Sequence, residues 1–96
     1  MASVPFDQLE GHIWMNGEFV KWADAKVHVL THGLHYASAV FEGERAYGGE
    51  IFKLTEHTER LHESGRLMGF KIPYSVEEID DACRKLLGMQ GFKDAY

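Results

Sequence analysis

The side chains in this 96-residue sequence that could bind a metal, attack a carbonyl or grip an anion are six histidines, a single cysteine and ten lysines and arginines. His32 and His35 have the i, i+3 spacing that sets two rings on one helix face. A tight metal site also needs a third and a fourth ligand at compatible geometry. His12, His28, His57 and His62 fall on other expected elements without ligand-like spacing, so no metal ligand is assigned. Histidines hydrogen-bonded within a polar core, or facing solvent, are the expectation. Ser38 lacks a nucleophile elbow, and Cys83 has no basic neighbour that would depress its pKa, so neither reads as a nucleophile. The run GERAYGG lacks the strand-turn-helix context of a phosphate loop. What remains is THGLHYASAVFEGERAY, residues 31–47, too apolar for an ordinary surface loop yet crowded with histidine, tyrosine and charge.

The elements around that run must position it. HIWMNGEFV puts Asn16-Gly17 between two apolar-rich runs, and both residues accept the positive φ of a type I′ hairpin turn. AKVHVL, residues 25–30, alternates Val27 and Val29 with His28 and predicts a short strand. From Val40 the residues alternate through Tyr47, and Gly48-Gly49 turns the chain into EIFKL, a second hairpin that brings the expected strands to four. Helices follow. Thr55 is the expected cap of a helix whose inner face is His57, Leu61, Ser64 and Met68, with Gly69 as its stop and Pro73 beyond. Ser75 and Glu78 form a capping box ahead of a second helix, whose stripe is Ile79, Ala82, Cys83, Leu86 and Leu87. FKDAY reads as the start of another strand. Strands first and helices later predict an α+β fold, a small antiparallel sheet built from hairpins and packed with two helices.

Composition narrows the classes of partner. With 45% hydrophobic and 26% charged residues the chain is globular in composition. A net charge of −5 with scattered basic residues argues against nucleic acid or an anionic membrane surface. No run approaches the roughly 20 apolar residues needed to span a bilayer, and the N-terminus lacks a signal-peptide pattern. One cysteine cannot form an internal disulfide, so the expected compartment is the cytoplasm.

DAKVHVLTHGLHYASAVFEGERAY, followed by IFKLTEHTERLHES and IPYSVEEIDDACRKLL, resembles the small N-terminal domain of branched-chain amino-acid aminotransferases, the pyridoxal-phosphate enzymes of fold type IV. HGLHYASAVFEGERAY, the short hairpin and HTERLHES occur together at matching spacing, and the likeness covers nearly the whole chain. The resemblance implies that Arg60 contacts the phosphate of pyridoxal 5′-phosphate, a task suited to a planar, always charged guanidinium. On residue types alone Arg60 reads as a surface helix arginine paired with Glu56 or Glu63. Phe41 resembles the residue lining the pocket for a branched aliphatic side chain, and otherwise reads as core. Tyr36 resembles the aromatic that family dimers present to the neighbouring active site, and otherwise reads as a half-buried tyrosine. Gly43 matches a position where the backbone approaches the substrate. Tyr96 matches a tyrosine near the substrate carboxylate. Glu42 and Arg45 belong to the signature, with a local ion pair as their plain reading.

The implied partners are an amino acid and a 2-oxo acid, the amino group passing from L-leucine, L-isoleucine or L-valine to 2-oxoglutarate in a homo-oligomer, at least a dimer. The lysine that holds the cofactor covalently belongs to the family's second, larger domain. Lys21, Lys26, Lys53, Lys71, Lys85 and Lys93 do not sit in its motif, and no arginine follows the AY motif. No catalytic residue is therefore assigned, residues 1–96 are read as the small domain of a longer enzyme, and the chain alone is expected not to transaminate. Within the same fold the alternatives are a D-amino-acid transaminase or an aminodeoxychorismate lyase. From another class, the alternative is an autonomous, non-catalytic binding module.

Overall fold

Two glycine-bearing turns fold the first half of the chain into hairpins. In the computed structural model, which describes residues 3–96, Asn16 (φ 53°) and Gly17 (φ 86°) join β1 (His12–Met15) to β2 (Glu18–Lys21). Positive φ at both central positions gives a two-residue turn the twist of its flanking strands. The register runs from Met15 opposite Glu18 to His12 opposite Lys21. Gly48 (φ 59°) and Gly49 (φ 86°) repeat the device between β3 (Ala46–Tyr47) and β4 (Glu50–Ile51). The α+β class and the antiparallel hairpins match the sequence expectation, but the hairpins form two separate two-stranded ladders rather than one sheet.

Three strand expectations need correction. Residues 25–30 form no strand: Leu30 N–H donates to His28 Nδ1 (3.0 Å), while Thr31 N–H and Oγ1 both donate to the His28 carbonyl (2.9 and 2.6 Å). Val27 and Val29 are exposed, so their alternation has nothing to bury against. The chain next makes one helical turn, α1 (His32–His35). Residues 40–45 are not in a ladder either, although their burial does alternate with a period of two. FKDAY contributes a single bridge, Ala95 to Ala46, rather than a strand.

Two helices of equal length follow, α2 (Leu54–Met68) and α3 (Val76–Gln90). Thr55 is not the cap of α2, as the sequence suggested: Lys53, in the left-handed region (φ 57°), is. The Thr55 hydroxyl instead donates to Asp80 Oδ2 (2.7 Å) across the helix pair. Thr58, fully buried, donates to Asp80 Oδ1 (2.5 Å) or to its own Leu54 carbonyl (3.1 Å), since one hydroxyl proton serves one acceptor at a time. The deepest positions of α2 are Leu54, Thr58 and Gly65; of the expected row, His57, Leu61 and Ser64 are half-buried beside them and Met68 is exposed. Gly69 (φ 93°) closes α2 as expected. On α3 the Ser75–Glu78 capping box is present in both directions, and the predicted stripe from Ile79 to Leu87 is buried or half-buried. β1 packs on α3, where Gln90 Oε1 accepts from His12 N–H (2.8 Å) and Trp14 meets Tyr74 edge-on at 4.9 Å.

Candidate functional site

Along residues 40–46, Val40, Glu42, Glu44 and Ala46 turn inward while Phe41, Gly43 and Arg45 face solvent. Two carboxylates on an inner face are costly unless paired. Glu42 is paired. Its side chain is only 7% exposed, and it accepts from Arg60 Nε (2.8 Å), from Arg60 Nη2 (2.6 Å) and from His57 Nδ1 (2.6 Å). An ionised carboxylate only accepts, so His57 carries its proton on Nδ1. The Arg60 bonds first, and then the His57 bond, pull the Glu42 carboxyl down to about 2.

Arg60 and His57 stand one turn apart on α2, so a single carboxylate reaching up from the preceding segment meets both. The Arg60 side chain is 66% exposed. Glu42 occupies its Nε–Nη2 edge, and Nη1 has no acceptor among the described residues. The helix pairings that residue types suggested for Arg60 are corrected: Glu56 lies 3.6 Å from Lys53, and Glu63 accepts from Arg66 Nε (2.8 Å). The local ion pair between Glu42 and Arg45 is also overturned, because Arg45 lies instead over the Tyr96 ring, 4.9 Å from its centre.

The far side of the same segment meets the C-terminal residues. Ala46 and Ala95 exchange backbone hydrogen bonds (2.9 and 3.1 Å), Gly49 N–H donates to the Lys93 carbonyl (2.8 Å), and Gly48 N–H donates to Asp94 Oδ1 (2.9 Å). This clamp brings the Tyr96 hydroxyl to 2.7 Å from where a Cβ on Gly43 would lie, so any larger residue at 43 displaces the tip of the exposed Tyr96 ring. Gly43 and Tyr96 are thus brought together, and Arg60 is tied through Glu42 to the residue before Gly43. Phe41 (86% exposed) and Tyr36 (72% exposed) lie at the surface, which removes the core reading of the first and the half-buried reading of the second. Tyr36 sits between His32 and His35, with ring centres 4.8 and 6.2 Å away.

Behind Glu44 lies an open cavity of about 420 Å³, walled by Ala46, Ile51, Cys83, Leu86, Leu87 and Tyr96. Glu44 Oε1 is buried there without a hydrogen-bond partner among the described residues, and burial pushes the Glu44 carboxyl up; attraction from His57 opposes this, and smaller repulsions from Glu42 and Asp80 add to it. Cys83 is pushed up to about 11, by burial first and then by Glu44 and Asp80; the expectation that it has no depressing basic neighbour is corrected, since Arg84 beside it pulls the other way, though to smaller effect. The thiol is inert at neutral pH, in line with its reading as a packing residue. Among the described residues no group of three or more His, Cys, Asp or Glu side chains could hold a metal ion. Sequence reasoning left Glu42 and His57 without a role. The signal for them was the inward parity of position 42 together with the i, i+3 pair on α2.

The strip thus carries a solvent-facing arginine on one side and a glycine-tyrosine contact on the other, and residues 39–96 match the model of the amino-transferase class IV family. The chain belongs to that family. It is 50% identical over its whole length to the "Probable branched-chain-amino-acid aminotransferase" of Rickettsia felis, covering 33% of that protein. It is 44% identical over 88% of its length to the branched-chain-amino-acid aminotransferase of Escherichia coli K12, covering 29% of that protein. The fold superposes on the crystal structure of the Escherichia coli enzyme with a TM-score of 0.86, at 41% identity over 92% of this chain and 30% of that one. The branched-chain aminotransferase of the thermophilic archaeon Thermoproteus uzoniensis, solved with norvaline, superposes at 0.83 with 38% identity, over 88% of this chain and 30% of that one. A further branched-chain amino acid aminotransferase of this fold is solved in complex with N-(5′-phosphopyridoxyl)-L-glutamate. The chain thus spans about a third of the length of the curated relatives it matches.

Proposed function

We propose that this chain is the N-terminal small domain of a longer, cytoplasmic branched-chain amino-acid transaminase that works with pyridoxal 5′-phosphate as a homo-oligomer, at least a dimer. The observation that carries the reading is the strip from Phe41 to Arg45, which ties Arg60 to one side of the chain and Tyr96 to the other. The Rickettsia and Escherichia relatives, at 44–50% identity over most or all of the chain, supply the reaction class. No helix of the described residues is long and apolar enough to cross a membrane.

The residues present fit the cofactor's phosphate. A guanidinium offers five N–H donors, and Glu42 takes one edge of Arg60, leaving a charged, exposed Nη1 amino group for a second oxyanion. When bound, pyridoxal phosphate supplies an electron sink for the bonds at the substrate's α-carbon. The part played by this chain is binding and orientation. Arg60 holds the phosphate. Gly43 lets the substrate and the Tyr96 ring come close to the backbone, and the Tyr96 hydroxyl lies beside the substrate carboxylate. Phe41 offers an apolar wall to leucine, isoleucine and valine side chains. Tyr36 reaches a neighbouring subunit. The α-proton is moved by the lysine of the larger domain, so this chain supplies positioning rather than proton transfer.

Apolar contact with a pocket discriminates by only about 1–3 kcal/mol per methylene, so the three branched substrates should overlap in rate while D-alanine is excluded by handedness. Steady-state kinetics of the full-length protein with 2-oxoglutarate test this: L-leucine turns over and D-alanine does not. Preference for D-alanine would transfer the chain to the D-amino-acid transaminases. No transfer with either substrate would remove the transaminase reading.

A further inference from the structure

Resting on the reading of Arg60 as the phosphate ligand, we propose that Glu42 is its positioning residue: bridged to His57 on its inner side, the Glu42 carboxylate clamps the Nε–Nη2 edge of Arg60 and so turns the Nη1 edge to the anion. Three features of the geometry support this. The carboxylate is buried while the guanidinium is exposed, so the fixed partner is Glu42 and the mobile one is Arg60. The contact is two-point, through Nε at 2.8 Å and Nη2 at 2.6 Å, and a fork held at two points cannot rotate about its own bond. His57 Nδ1, at 2.6 Å, ties down the carboxylate from the same helix that carries Arg60, so the acceptor is itself held in place. An unclamped arginine at the surface would spread its head over many rotamers and lose that freedom on meeting an anion.

Bare electrostatics predicts the opposite effect. A carboxylate beside a phosphate site repels the anion, so removing it should tighten binding if Glu42 does nothing but carry charge. Positioning predicts that binding weakens.

The test measures the dissociation constant of pyridoxal 5′-phosphate with apo full-length protein by fluorescence quenching, and the ³¹P line of the bound cofactor. Arg60→Ala weakens binding about 100-fold and Glu42→Ala about 10-fold, as expected for losing a charge-assisted contact and its orientation respectively. The double variant is no weaker than Arg60→Ala alone, because Glu42 acts only through Arg60. Glu42→Gln, which keeps one acceptor at the same volume, restores part of the loss, and the ³¹P shift follows the same order. Arg66→Ala, which removes only an exposed pair with Glu63, leaves the affinity unchanged.

Unchanged or tighter binding in Glu42→Ala, with Arg60→Ala still weakened, overturns the proposal and leaves the Arg60 reading standing. Additive losses in the double variant overturn it as well. Wild-type affinity in Arg60→Ala removes the phosphate reading and the proposal together. If Glu42→Ala fails to fold by circular dichroism, Glu42→Gln carries the test, and binding no weaker than wild type in that variant counts against the proposal.

Discussion

Glu42 and Glu44 sit two residues apart on one inner face with their pKa values pushed in opposite directions, because Glu42 has hydrogen-bond partners and the buried Glu44 Oε1 has none among the described residues. Glu42 is held down by Arg60 and His57, so its contribution to stability is present above about pH 4.5 and is lost as pH falls toward about 2. Glu44 is held up by burial, so the folded state favours its protonated form. Ionisation therefore costs stability, and the cost grows as pH rises above the ordinary value of 4.5 and is complete once pH passes the raised pKa. Glu44→Gln should raise the melting temperature of the full-length protein at pH 7, with the gain fading toward pH 4, where the native carboxyl is already neutral. Glu42→Gln should lower the melting temperature at pH 7. Melting curves recorded across that range separate the two. A Glu44→Gln variant that melts below wild type at pH 7 would show that Oε1 has a partner in solution.

At the scale of elements, what was legible in the sequence depended on whether the signal was local. The Asn16-Gly17 hairpin, the Gly48-Gly49 turn and the Ser75–Glu78 box are decided within four residues, and all stand as read. Thr55 departs from its expected cap because its hydroxyl has two competing uses, and a carboxylate on another helix takes it. Val27 and Val29 depart from their expected strand because alternation reports a face without saying what covers it. Likewise Glu42 and Glu44 carry the strand period without a ladder, and only the folded chain reveals that Arg60 reaches one of them. The Thr55–Asp80–Thr58 junction then becomes the polar joint between α2 and α3, with Asp80 5% exposed and Thr58 2%. Asp80→Ala leaves two hydroxyls without their charged acceptor, one of them fully buried, and should destabilise by about 2–3 kcal/mol, whereas Asp80→Asn should cost about half of that. Urea unfolding of the three proteins at pH 7 checks the order, and equal midpoints for wild type and Asp80→Ala would show that the helices are held by apolar contact alone.

At the scale of the whole molecule, the chain exposes more surface than its size warrants. Its accessible area is 7656 Å², against about 5,600 Å² for a folded monomer of 10.9 kDa. Its radius of gyration is 14.6 Å, where about 12.5 Å is usual for this length. The excess of about 2,000 Å² is more than twice the area one partner loses in an interface of ordinary size, about 800 Å². Only Ala46, Leu54 and Ala82 are buried hydrophobics among the described residues, while Val27, Val29, Leu30, Leu34 and Phe41 all stand in solvent along one stretch of chain. That apolar stretch includes residues of the family signature, as expected if the remaining two thirds of a transaminase and a second subunit pack against it. Residues 1–96 expressed alone should therefore self-associate at micromolar concentration and melt without a sharp cooperative transition, whereas the full-length protein should scatter as one species of fixed size. Light scattering and a thermal melt on both proteins decide the matter. A monodisperse, cooperatively melting 96-residue monomer would instead favour an autonomous module whose exposed valines and leucines serve a different partner.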